Sequence, residues 1–491
     1  MTDLFDLKKF DIYREDNCRE VKKAEKGLPC TLWETYSSFA NSNGGVIILG
    51  VGERRDGTWF TTGLKNASKL KSNFWNAIHD TKKVSINLLS DANIKSYEVR
   101  GDEVLVIHVP RARRDQKPVY INNDLFGGSY RRDWEGDYHC SKAEVKAMLR
   151  DAVEETPDMK MIENLDLSAI NHDSLQAYRN YHRTYKPEHV FHRLSDEEYL
   201  IRVGAAAKDK DGKAHPSAAG LLMFGDEYNI VREFPEYFLD YREVLDPTTR
   251  WTDRVQSSSG DWSGNVQDFF FRINSKISQN IKMPFKLNGI IRVEDTSVHK
   301  AIREALVNCL VNADYYLPQS VVIKKDETCL TVENPGSIRT GKEQMLRGGI
   351  SDPRNKNLMK MFNLIGIGER AGSGIPDIYH VWEDQGWMTP TVKESYNPDR
   401  TVLVLEFVEK QANKTSEQAN KTSEQANKTR KTMKTESEIR AYLSQTGPSK
   451  TSDIAKHIGL SPARTRAILS SMQGVTYEGS TNTRKYKLSD Y

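Results

Sequence analysis

Hydrophobic and polar residues follow two different periods in the first third of the chain. Short apolar runs at 46–49 and 104–107, the first of them bracketed by glycines, are typical of buried β-strands. Between these runs, and again over 142–153, apolar residues recur at helical spacing. This alternation predicts a compact α+β domain over residues 1–155.

The pattern changes twice farther along the chain. From 156 to 295 the periodicity is mostly helical, which predicts a helical connecting domain. From 296 to 409 helical stretches alternate with apolar runs such as 320–323 and 401–407, which predicts a second α/β unit. Because 491 residues are too many for a single hydrophobic core, we expect an α+β multidomain protein.

A polar repeat separates this part of the chain from the C-terminal segment. The heptad QANKTSE occurs twice in succession from residue 411, and QANKTRK follows at 425–431. The only nonpolar residue of each unit is one alanine, so no coiled-coil seam can form. Such a segment buries too little surface to offset its chain entropy. We predict that residues 410–432 are a polar linker.

The last segment, residues 433–491, shows the pattern of helix, glycine turn and helix. Apolar residues line one face before Gly459, and Ser461 is a typical cap of a second helix. Two strand-like runs follow, so the pattern predicts a winged helix-turn-helix, which contacts either nucleic acid or another protein. Its candidate nucleic-acid contacts are Arg464, Arg466 and Lys485.

Composition favours a soluble cytoplasmic protein. Hydrophobic residues make up 37% of the chain and charged residues 28%, and acids stand near the N-terminus where a secretion signal needs basic residues. No apolar run is long enough to cross a bilayer. The five cysteines are scattered and never form a CxxC pair, which indicates reduced thiols rather than a disulfide framework or a zinc site.

Basic residues cluster locally, although the net charge is only +3. One cluster follows the strand-like run that ends at 109, and another follows the glycine pair at 127–128. Clusters of this kind can bind a phosphate backbone by releasing counterions, or they are ordinary solvated charge. The candidate nucleic-acid contacts in this part of the chain are Lys22, Arg111, Arg113, Arg114, Arg131 and Arg132.

Three motifs of the first domain occur in the order known from one family. They are EVK at 20–22, FANSNGG at 39–45 and LGV at 49–51. In these motifs the chain resembles the Schlafen AlbA-type domain, and the resemblance covers residues 5–150. It implies that residues 1–155 form an α+β domain that handles nucleic acid.

The Schlafen resemblance also implies a metal site. In nucleolytic members three acids gather around a divalent ion, and the corresponding positions here hold Glu15, Glu20 and Glu53. Three carboxylates repel one another unless a cation such as Mg²⁺ or Mn²⁺ lies between them, and that cation could activate water against a phosphodiester. The alternative is that Glu20 forms an ordinary ion pair with Lys22 on one strand.

A second set of motifs lies in the predicted α/β unit. They are REALVN at 303–308, ENPG at 333–336 and GERAGSGI at 368–375. Here the chain resembles the C-terminal ATPase-like domain of transcriptional regulators related to RecG helicase, a divergent branch of the GHKL fold. The resemblance implies a GHKL-like α/β sandwich over residues 296–409 that binds ATP with Mg²⁺.

The GHKL resemblance assigns roles to particular side chains. Glu304 would be a general base and Asn308 a Mg²⁺ ligand, and the two lie four residues apart on one helix face. Asn334 stands where GHKL enzymes carry the acid that binds adenine, and Asn312 departs from the usual histidine. The implied nucleotide contacts are Asn308, Asn312, Asn334, Gly336, Gly368, Gly372 and Gly374. Alternatively, these residues serve only turns and helix caps.

These modules together predict a nucleic-acid-binding regulatory protein, such as a transcriptional regulator, tuned by a nucleotide or other ligand in residues 296–409. The alternative hypothesis is a metal-dependent Schlafen-like endonuclease that cleaves RNA, transfer RNA included, in defence. Nucleic acid is the expected partner, a homo-oligomer is among the expected assemblies, and no membrane is involved. Convergence of Glu15, Glu20 and Glu53 on one point would favour the endonuclease.

Overall fold

The structure is a computed structural model that describes most of the chain in two compact units, Met1–Glu409 and Lys410–Tyr491. Almost all of the predicted polar linker lies outside the described residues. The residues outside the description are 1–4, 246–249, 280–286, 289–290, 293–295, 369–371, 396–398, 411–437, 473–474, 480–483 and 489–491.

The N-terminal domain, taken here as residues 5–155, is built on a four-stranded sheet in the order β1-β2-β6-β5, with β1 parallel to β2 and the other pairs antiparallel. Two short hairpins, β3-β4 and β7-β8, form separate two-stranded sheets. The elements are β1 (Arg19–Lys22), α1 (Leu32–Asn41), β2 (Gly45–Leu49), β3 (Val51–Glu53), β4 (Trp59–Thr61), α2 (Ala67–Ile78), β5 (Ile94–Val99), β6 (Asp102–Val109), β7 (Tyr130–Asp133), β8 (Gly136–His139) and α3 (Lys142–Ala152).

Both apolar runs predicted in this domain are central strands, and the predicted α+β class is confirmed. Side chains of β2 alternate between two cores: Ile47 packs with α1 and α2, whereas Ile48 packs on the opposite face with Trp59. Gly44 precedes β2 at a φ of +76°, and a Cβ there would lie 2.8 Å from the carbonyl oxygen of Val109. Only glycine suits this turn, because it combines a left-handed conformation with close backbone approach.

The rest of the first unit folds around a six-stranded sheet in the order β12-β11-β15-β16-β18-β17, in which β11 and β15 are parallel and the other neighbours antiparallel. The elements are α4 (His172–Tyr185), α5 (Asp196–Val203), β9 (Ala206–Lys208), β10 (Ala214–Pro216), α6 (Ala218–Phe224), α7 (Glu227–Glu233), β11 (Leu239–Val244), β12 (Asp253–Gln256), α8 (Val266–Gln279), β13 (Leu287–Asn288), β14 (Ile291–Arg292), α9 (Ser297–Asn312), β15 (Val321–Asp326), β16 (Cys329–Pro335), α10 (Lys342–Arg347), α11 (Lys356–Leu364), α12 (Gly374–Asp384), β17 (Thr391–Ser395) and β18 (Arg400–Glu406).

The segment predicted as a helical connecting domain differs from that prediction. Besides its helices it contributes β11 and β12 to the sheet of the following segment, and one hydrophobic core runs from Ile162 to Leu405. The expected boundary at residue 295 therefore does not separate two cores. The hydrophobic pattern did not predict strand β11 because this strand buries an acid, Asp240. The carboxylate of Asp240 is neutralised by Arg254 of the neighbouring strand β12.

The second unit contains helices and strands at the positions expected for its pattern. The residues 438–446 form helix α13, and antiparallel strands are ordered β19-β21-β20. Gly459, at a φ of +66°, ends α14 ahead of α15. The winged helix-turn-helix interpretation of these elements stays a prediction. The remaining elements are β19 (Ser449–Lys450), α14 (Thr451–Ile458), α15 (Pro462–Ser471), β20 (Val475–Glu478) and β21 (Lys485–Leu488).

Within the described part of the chain, no helix combines the length and the apolar character that crossing a membrane requires.

Candidate functional site

A cavity of about 130 Å³ lies beside helix α9. Strand β16, the 336–355 segment and the start of α12 form its other walls. Most of the residues that the GHKL resemblance assigned to a nucleotide meet here, although they come from distant parts of the chain. The predicted residues that line this α9 cavity are Glu304, Asn308, Asn312, Asn334, Gly372 and Gly374.

Three polar side chains of α9 form a stripe along the cavity. The amide nitrogen Nδ2 of Asn308 donates to Oε1 of Glu304 at 3.1 Å, and Nδ2 of Asn312 donates to the carbonyl oxygen of Asn308 at 2.9 Å. Residues four apart lie on one face of a helix, so the spacing in the sequence correctly placed all three together. Asn308 thereby uses its amide nitrogen within the helix.

Two glycines allow close contacts at the cavity, Gly374 with the α9 stripe and Gly372 with the 336–355 segment. A Cβ on Gly374 would overlap Oε1 of Glu304, and a Cβ on Gly372 would lie 2.7 Å from the backbone of Ile350. Gly368 and Gly336 were also predicted to contact the nucleotide, but neither lines the cavity. Gly336 instead makes room for the guanidinium of Arg354, which a Cβ would overlap. Residues 369–371 of the same motif lie outside the described residues.

Asn334 faces the cavity from β16, where the resemblance implies an adenine-binding acid in related proteins. Its side chain is buried, and Nδ2 donates to the carbonyl oxygen of Pro335 at 3.1 Å. A carboxamide has one oxygen that can accept a hydrogen bond, whereas a carboxylate has two. Asn334 can therefore accept a hydrogen bond from an amino group of a ligand through its one oxygen only.

Arg339 and Asp352, both in the 336–355 segment, line the cavity and were missed by sequence reasoning. Nη1 of Arg339 donates to the carbonyl oxygen of Pro353 at 3.0 Å, and its Nε lies 3.5 Å from the Asp352 carboxylate. Burial lowers the pKa of Arg339. The signal that could have found Arg339 is an arginine three residues after the ENPG motif.

The outer side of the 336–355 segment is held to the N-terminal domain by ion pairs. Nε of Arg114 lies 2.8 Å from the carboxylate of Asp352, so this acid touches both the cavity and the other domain. Arg354 binds Asp151 with two hydrogen bonds, at 3.0 and 2.7 Å. Occupancy of the cavity and docking of the N-terminal domain therefore involve the same segment.

The predicted acidic trio is not arranged as a set of metal ligands. Oε1 of Glu15 accepts from the backbone N–H of Val21, while Glu20 is ion-paired with both Lys22 and Arg132 at 2.9 Å. Burial, followed by the charge of Glu20 and a smaller contribution from Glu53, raises the pKa of Glu15 to about 7. Among the residues that the structure describes, no three His, Cys, Asp or Glu side chains could jointly hold a metal ion.

Most of the basic residues predicted to contact nucleic acid in the N-terminal domain are engaged inside the protein, which corrects the expectation of a free basic surface. Arg111 donates to the carbonyl oxygen of Ile338, and Arg114 pairs with Asp352. The residues whose side chains are at most one-fifth exposed are Lys22, Arg111, Arg131 and Arg132. Arg113 is exposed, and it is paired with Asp115.

The second unit presents basic residues on its surface. Arg466 and Lys485 are both exposed, and the guanidinium of Arg484 lies 4.1 Å from the ring centroid of Tyr477. Tyr477 is itself 56% exposed. The side chain of Arg464, the third predicted contact, lies outside the described residues. Exposed cations beside an exposed aromatic ring can contact both phosphate and bases.

Comparison with known families confirms both resemblances. Residues 6–141 match the family "Schlafen, AlbA_2", and residues 320–404 match the family "Putative ATP-dependent DNA helicase recG C-terminal". Residues 146–240 match a "Domain of unknown function (DUF8451)". Among curated protein sequences, none matches the chain.

Two solved structures are similar to parts or most of the chain. The DIP2311 protein from Corynebacterium diphtheriae has 17% sequence identity and a TM-score of 0.41, with 96% of this chain and 92% of that chain covered. The N-terminal domain of a "Putative ATP-dependent DNA Helicase RecG-related Protein" from Nitrosomonas europaea has 28% identity and a TM-score of 0.22, with 28% of this chain and 92% of that chain covered. Both scores are too low to establish a shared fold.

Proposed function

We propose that the chain, which carries a Schlafen AlbA_2 domain and a RecG-type C-terminal domain, is a cytoplasmic nucleic-acid-binding regulatory protein, tuned by a nucleotide in the α9 cavity. The names of the two matched families support an association with nucleic acid. The observation that carries the proposal is the meeting of Glu304, Asn308 and the Gly372–Gly374 backbone around one cavity. A transcriptional regulator is the form of this function that the RecG-type domain favours.

The chemistry of the α9 cavity suits ATP with Mg²⁺. Because Asn308 spends its amide nitrogen on Glu304, its carboxamide oxygen is the atom that would hold Mg²⁺. The backbone at Gly372 and Gly374 would lie against phosphate oxygens, since glycine has no side chain and lets N–H groups come close. Asn334 would accept from the adenine amino group through its single oxygen. Mg²⁺ would neutralise phosphate charge that the Glu304 carboxylate alone would repel.

The ion-paired 336–355 segment supports regulation by that ligand. Arg339 and Asp352 face the cavity, and Asp352 also binds Arg114 of the N-terminal domain. A ligand that attracts Arg339 or repels Asp352 therefore changes the stability of the domain contact. The empty and occupied forms would differ in how firmly the N-terminal domain is held, which is the requirement for a switch.

Nucleic acid would be bound chiefly through the second unit. The elements of this unit suit a winged helix-turn-helix, and Arg466, Lys485 and Tyr477 are exposed. The N-terminal basic residues, by contrast, would need release from their ion pairs before they could reach phosphate. A homo-oligomer would place two such units on one duplex, as regulators of this type often require.

The test measures nucleic-acid binding by the full chain with and without Mg-ATP. Fluorescently labelled duplex DNA and single-stranded RNA are titrated at several salt concentrations, because affinity from phosphate contacts falls steeply with salt. We expect Mg-ATP to change the affinity by about fivefold or more, the lower end of typical allosteric coupling. Asn308→Ala should remove this effect and keep the ATP-free affinity.

A matched control is Asn180→Ala, which removes an exposed asparagine from helix α4 that does not line the α9 cavity. It should respond to Mg-ATP like the wild type. Equal affinities with and without Mg-ATP would contradict ligand tuning, and affinities independent of salt would contradict phosphate contacts.

One observation supports the endonuclease as a second candidate function. Burial is the main cause of the raised pKa of Glu15, and the charges of Glu20 and Glu53 add to it, so the three carboxylates are neighbours although they are not arranged as metal ligands. The test incubates the full chain with labelled RNA, transfer RNA included, and with DNA, in Mn²⁺ or chelator. Metal-dependent cleavage that disappears in Glu20→Gln would favour the endonuclease. Absence of cleavage with every divalent ion, or cleavage that persists in Glu20→Gln, would count against it.

A further inference from the structure

A second cavity, of about 50 Å³, lies between the N-terminal domain and the 336–355 segment. This interdomain cavity shares two lining residues, Ser337 and Arg339, with the α9 cavity, so the two are neighbours. Its walls are dominated by charge. The cationic lining residues are Arg111, Arg114, Lys117, Arg131 and Arg339, and the acidic ones are Glu144, Asp151 and Asp399.

Lys117 is a lining cation that is held by a backbone carbonyl and not by a carboxylate. Its Nζ donates to the carbonyl oxygen of Asn41, and no carboxylate of the described residues lies within ion-pair distance of it. Burial, followed by the charge of Arg111, holds the pKa of Lys117 well below its ordinary value. An ammonium group has three N–H donors, so the carbonyl leaves donors for an anionic acceptor in the cavity.

Asp399, another lining residue, has a carboxylate oxygen without a hydrogen-bond donor in the part of the chain that the structure describes. Its Oδ1 is buried and has no hydrogen-bond partner among the described residues. Burial, followed by the charge of Glu144, raises the pKa of Asp399 to about 6. Lys117 and Asp399 line one cavity but are not within ion-pair distance of each other. An occupant that satisfied both would need acceptor oxygens at one end and a donor at the other.

Most of the other lining charges already have partners. Arg131 pairs with Glu144, and Asp151 binds Arg354. Arg111 pairs with Glu394 and Arg114 with Asp352, two acids outside the lining, so among the described lining residues Lys117 is left as the cation that attracts negative charge into the cavity. A hydrogen phosphate group has several acceptor oxygens and one O–H, and guanidinium and ammonium groups bind such oxygens with charge-assisted hydrogen bonds. A carboxylate or a halide ion would leave Asp399 without a donor.

We propose that the interdomain cavity is a phosphate-binding site, in which Lys117 and Arg339 bind the phosphate oxygens and Asp399 accepts from a phosphate O–H. The phosphate would join residues from both domains and so strengthen their contact. The bound phosphate group comes from one of two ligands. It is either free inorganic phosphate or the terminal phosphate of a nucleotide whose base lies in the α9 cavity. The first source is independent of the proposed function, and the second rests on it.

The test is isothermal titration of the full chain with inorganic phosphate in a phosphate-free buffer, followed by separate titrations with Mg-ATP and adenosine. Lys117→Met keeps the length of the side chain and removes its charge. We expect it to weaken binding of phosphate by about tenfold or more, because a charged hydrogen bond is lost. The matched control is Lys146→Met, which removes an exposed lysine from helix α3 and should leave the affinity unchanged.

Loss of phosphate affinity in Lys117→Met supports the site with a free-phosphate source. Binding of Mg-ATP that depends on Lys117, without binding of inorganic phosphate or adenosine, supports it with a nucleotide source. If neither inorganic phosphate nor Mg-ATP depends on Lys117, the proposal is overturned. ATP binding that depends on Asn308 but not on Lys117 would overturn this proposal alone and leave the proposed function standing.

A second variant covers the case in which Lys117→Met does not fold, as judged by circular dichroism. Asp399→Asn removes a negative charge from the lining and supplies an amide donor. Because Asp399 would accept from a phosphate O–H, the loss of its charge should weaken binding of inorganic phosphate or Mg-ATP several-fold near pH 7, since a charge-assisted hydrogen bond becomes a neutral one. Unchanged or stronger binding of both ligands by Asp399→Asn would overturn the proposal.

Discussion

The buried ion pair between Asp151 and Arg354 gives the most direct test of how the two domains are joined. The side chain of Arg354 is 3% exposed, and the Asp151 carboxylate binds its Nε and Nη2 at once. Burial alone would raise the pKa of Asp151, but the charge and hydrogen bonds of Arg354 outweigh it, and the pKa is lowered. The folded chain therefore depends on this carboxylate being charged.

Asp151→Asn keeps the shape of the side chain and removes its charge, which leaves the Arg354 guanidinium buried without a counter-charge. Breaking one partner of a buried pair costs about 3 to 5 kcal/mol, and we expect the lower end because the amide oxygen still accepts one hydrogen bond. The lowered pKa means that the pair stabilises fully above the unfolded value of Asp151 and that this stability is lost as pH falls through the folded value. Neutral pH therefore shows the whole effect.

The assay is urea unfolding of the full chain at neutral pH, followed by tryptophan fluorescence. The matched control is Asp115→Asn, because Asp115 pairs with Arg113 on the open surface of the same domain. Solvent screens that pair, so the control should leave the urea midpoint nearly unchanged. The double variant Asp151→Asn with Arg354→Met should unfold at higher urea than Asp151→Asn alone, since no charge is left buried. Equal midpoints for Asp151→Asn and Asp115→Asn would refute the reasoning.

Three further changes test other parts of the structure. Gly374→Ala would overlap the Glu304 carboxylate, so we expect it to remove the rise in melting temperature on adding Mg-ATP; an unchanged rise would contradict the site. Glu15→Gln should stabilise the chain more at about pH 8 than at about pH 5. The raised pKa of Glu15 makes the wild type lose stability as pH rises from 4.5 through about 7. Equal gains in the urea midpoint at both pH values would contradict this expectation. Arg466→Ala with Lys485→Ala should reduce the slope of log affinity against log salt by about 2, and an unaltered slope would place the contacts elsewhere.

Local patterns in the sequence predicted what depends on near neighbours. The central strands of the first domain and the stripe of Glu304, Asn308 and Asn312 follow from spacings of two and four residues, and the structure has both. The two family resemblances rested on short motifs of the same kind. These features could be predicted from the sequence because the geometry of a helix or a strand is fixed over a few residues.

Contacts between distant segments could not be predicted in the same way. Arg114 pairs with Asp352 and Arg354 with Asp151, across more than two hundred residues of sequence. Most of the basic cluster that was predicted to form a free surface is therefore engaged in contacts inside the protein. Glu20 was likewise identified as an acid of the implied metal site, but its partner Arg132 comes from a strand far along the chain. Whether a charge is free or paired is decided by tertiary structure.

During synthesis, strand β11 leaves the ribosome well before the strand with which it runs parallel. β11 ends at Val244 and β15 begins at Val321, an interval of about 4 to 15 s at the usual rate of translation. Over that time one edge of β11 has no partner, and its backbone N–H and C=O groups are open to pairing with a neighbouring nascent chain. Asp240 and Arg242 carry charge on this strand, and charged side chains discourage such pairing. The buried charge of Asp240, which kept β11 from being predicted, would thus also oppose aggregation of the growing polypeptide.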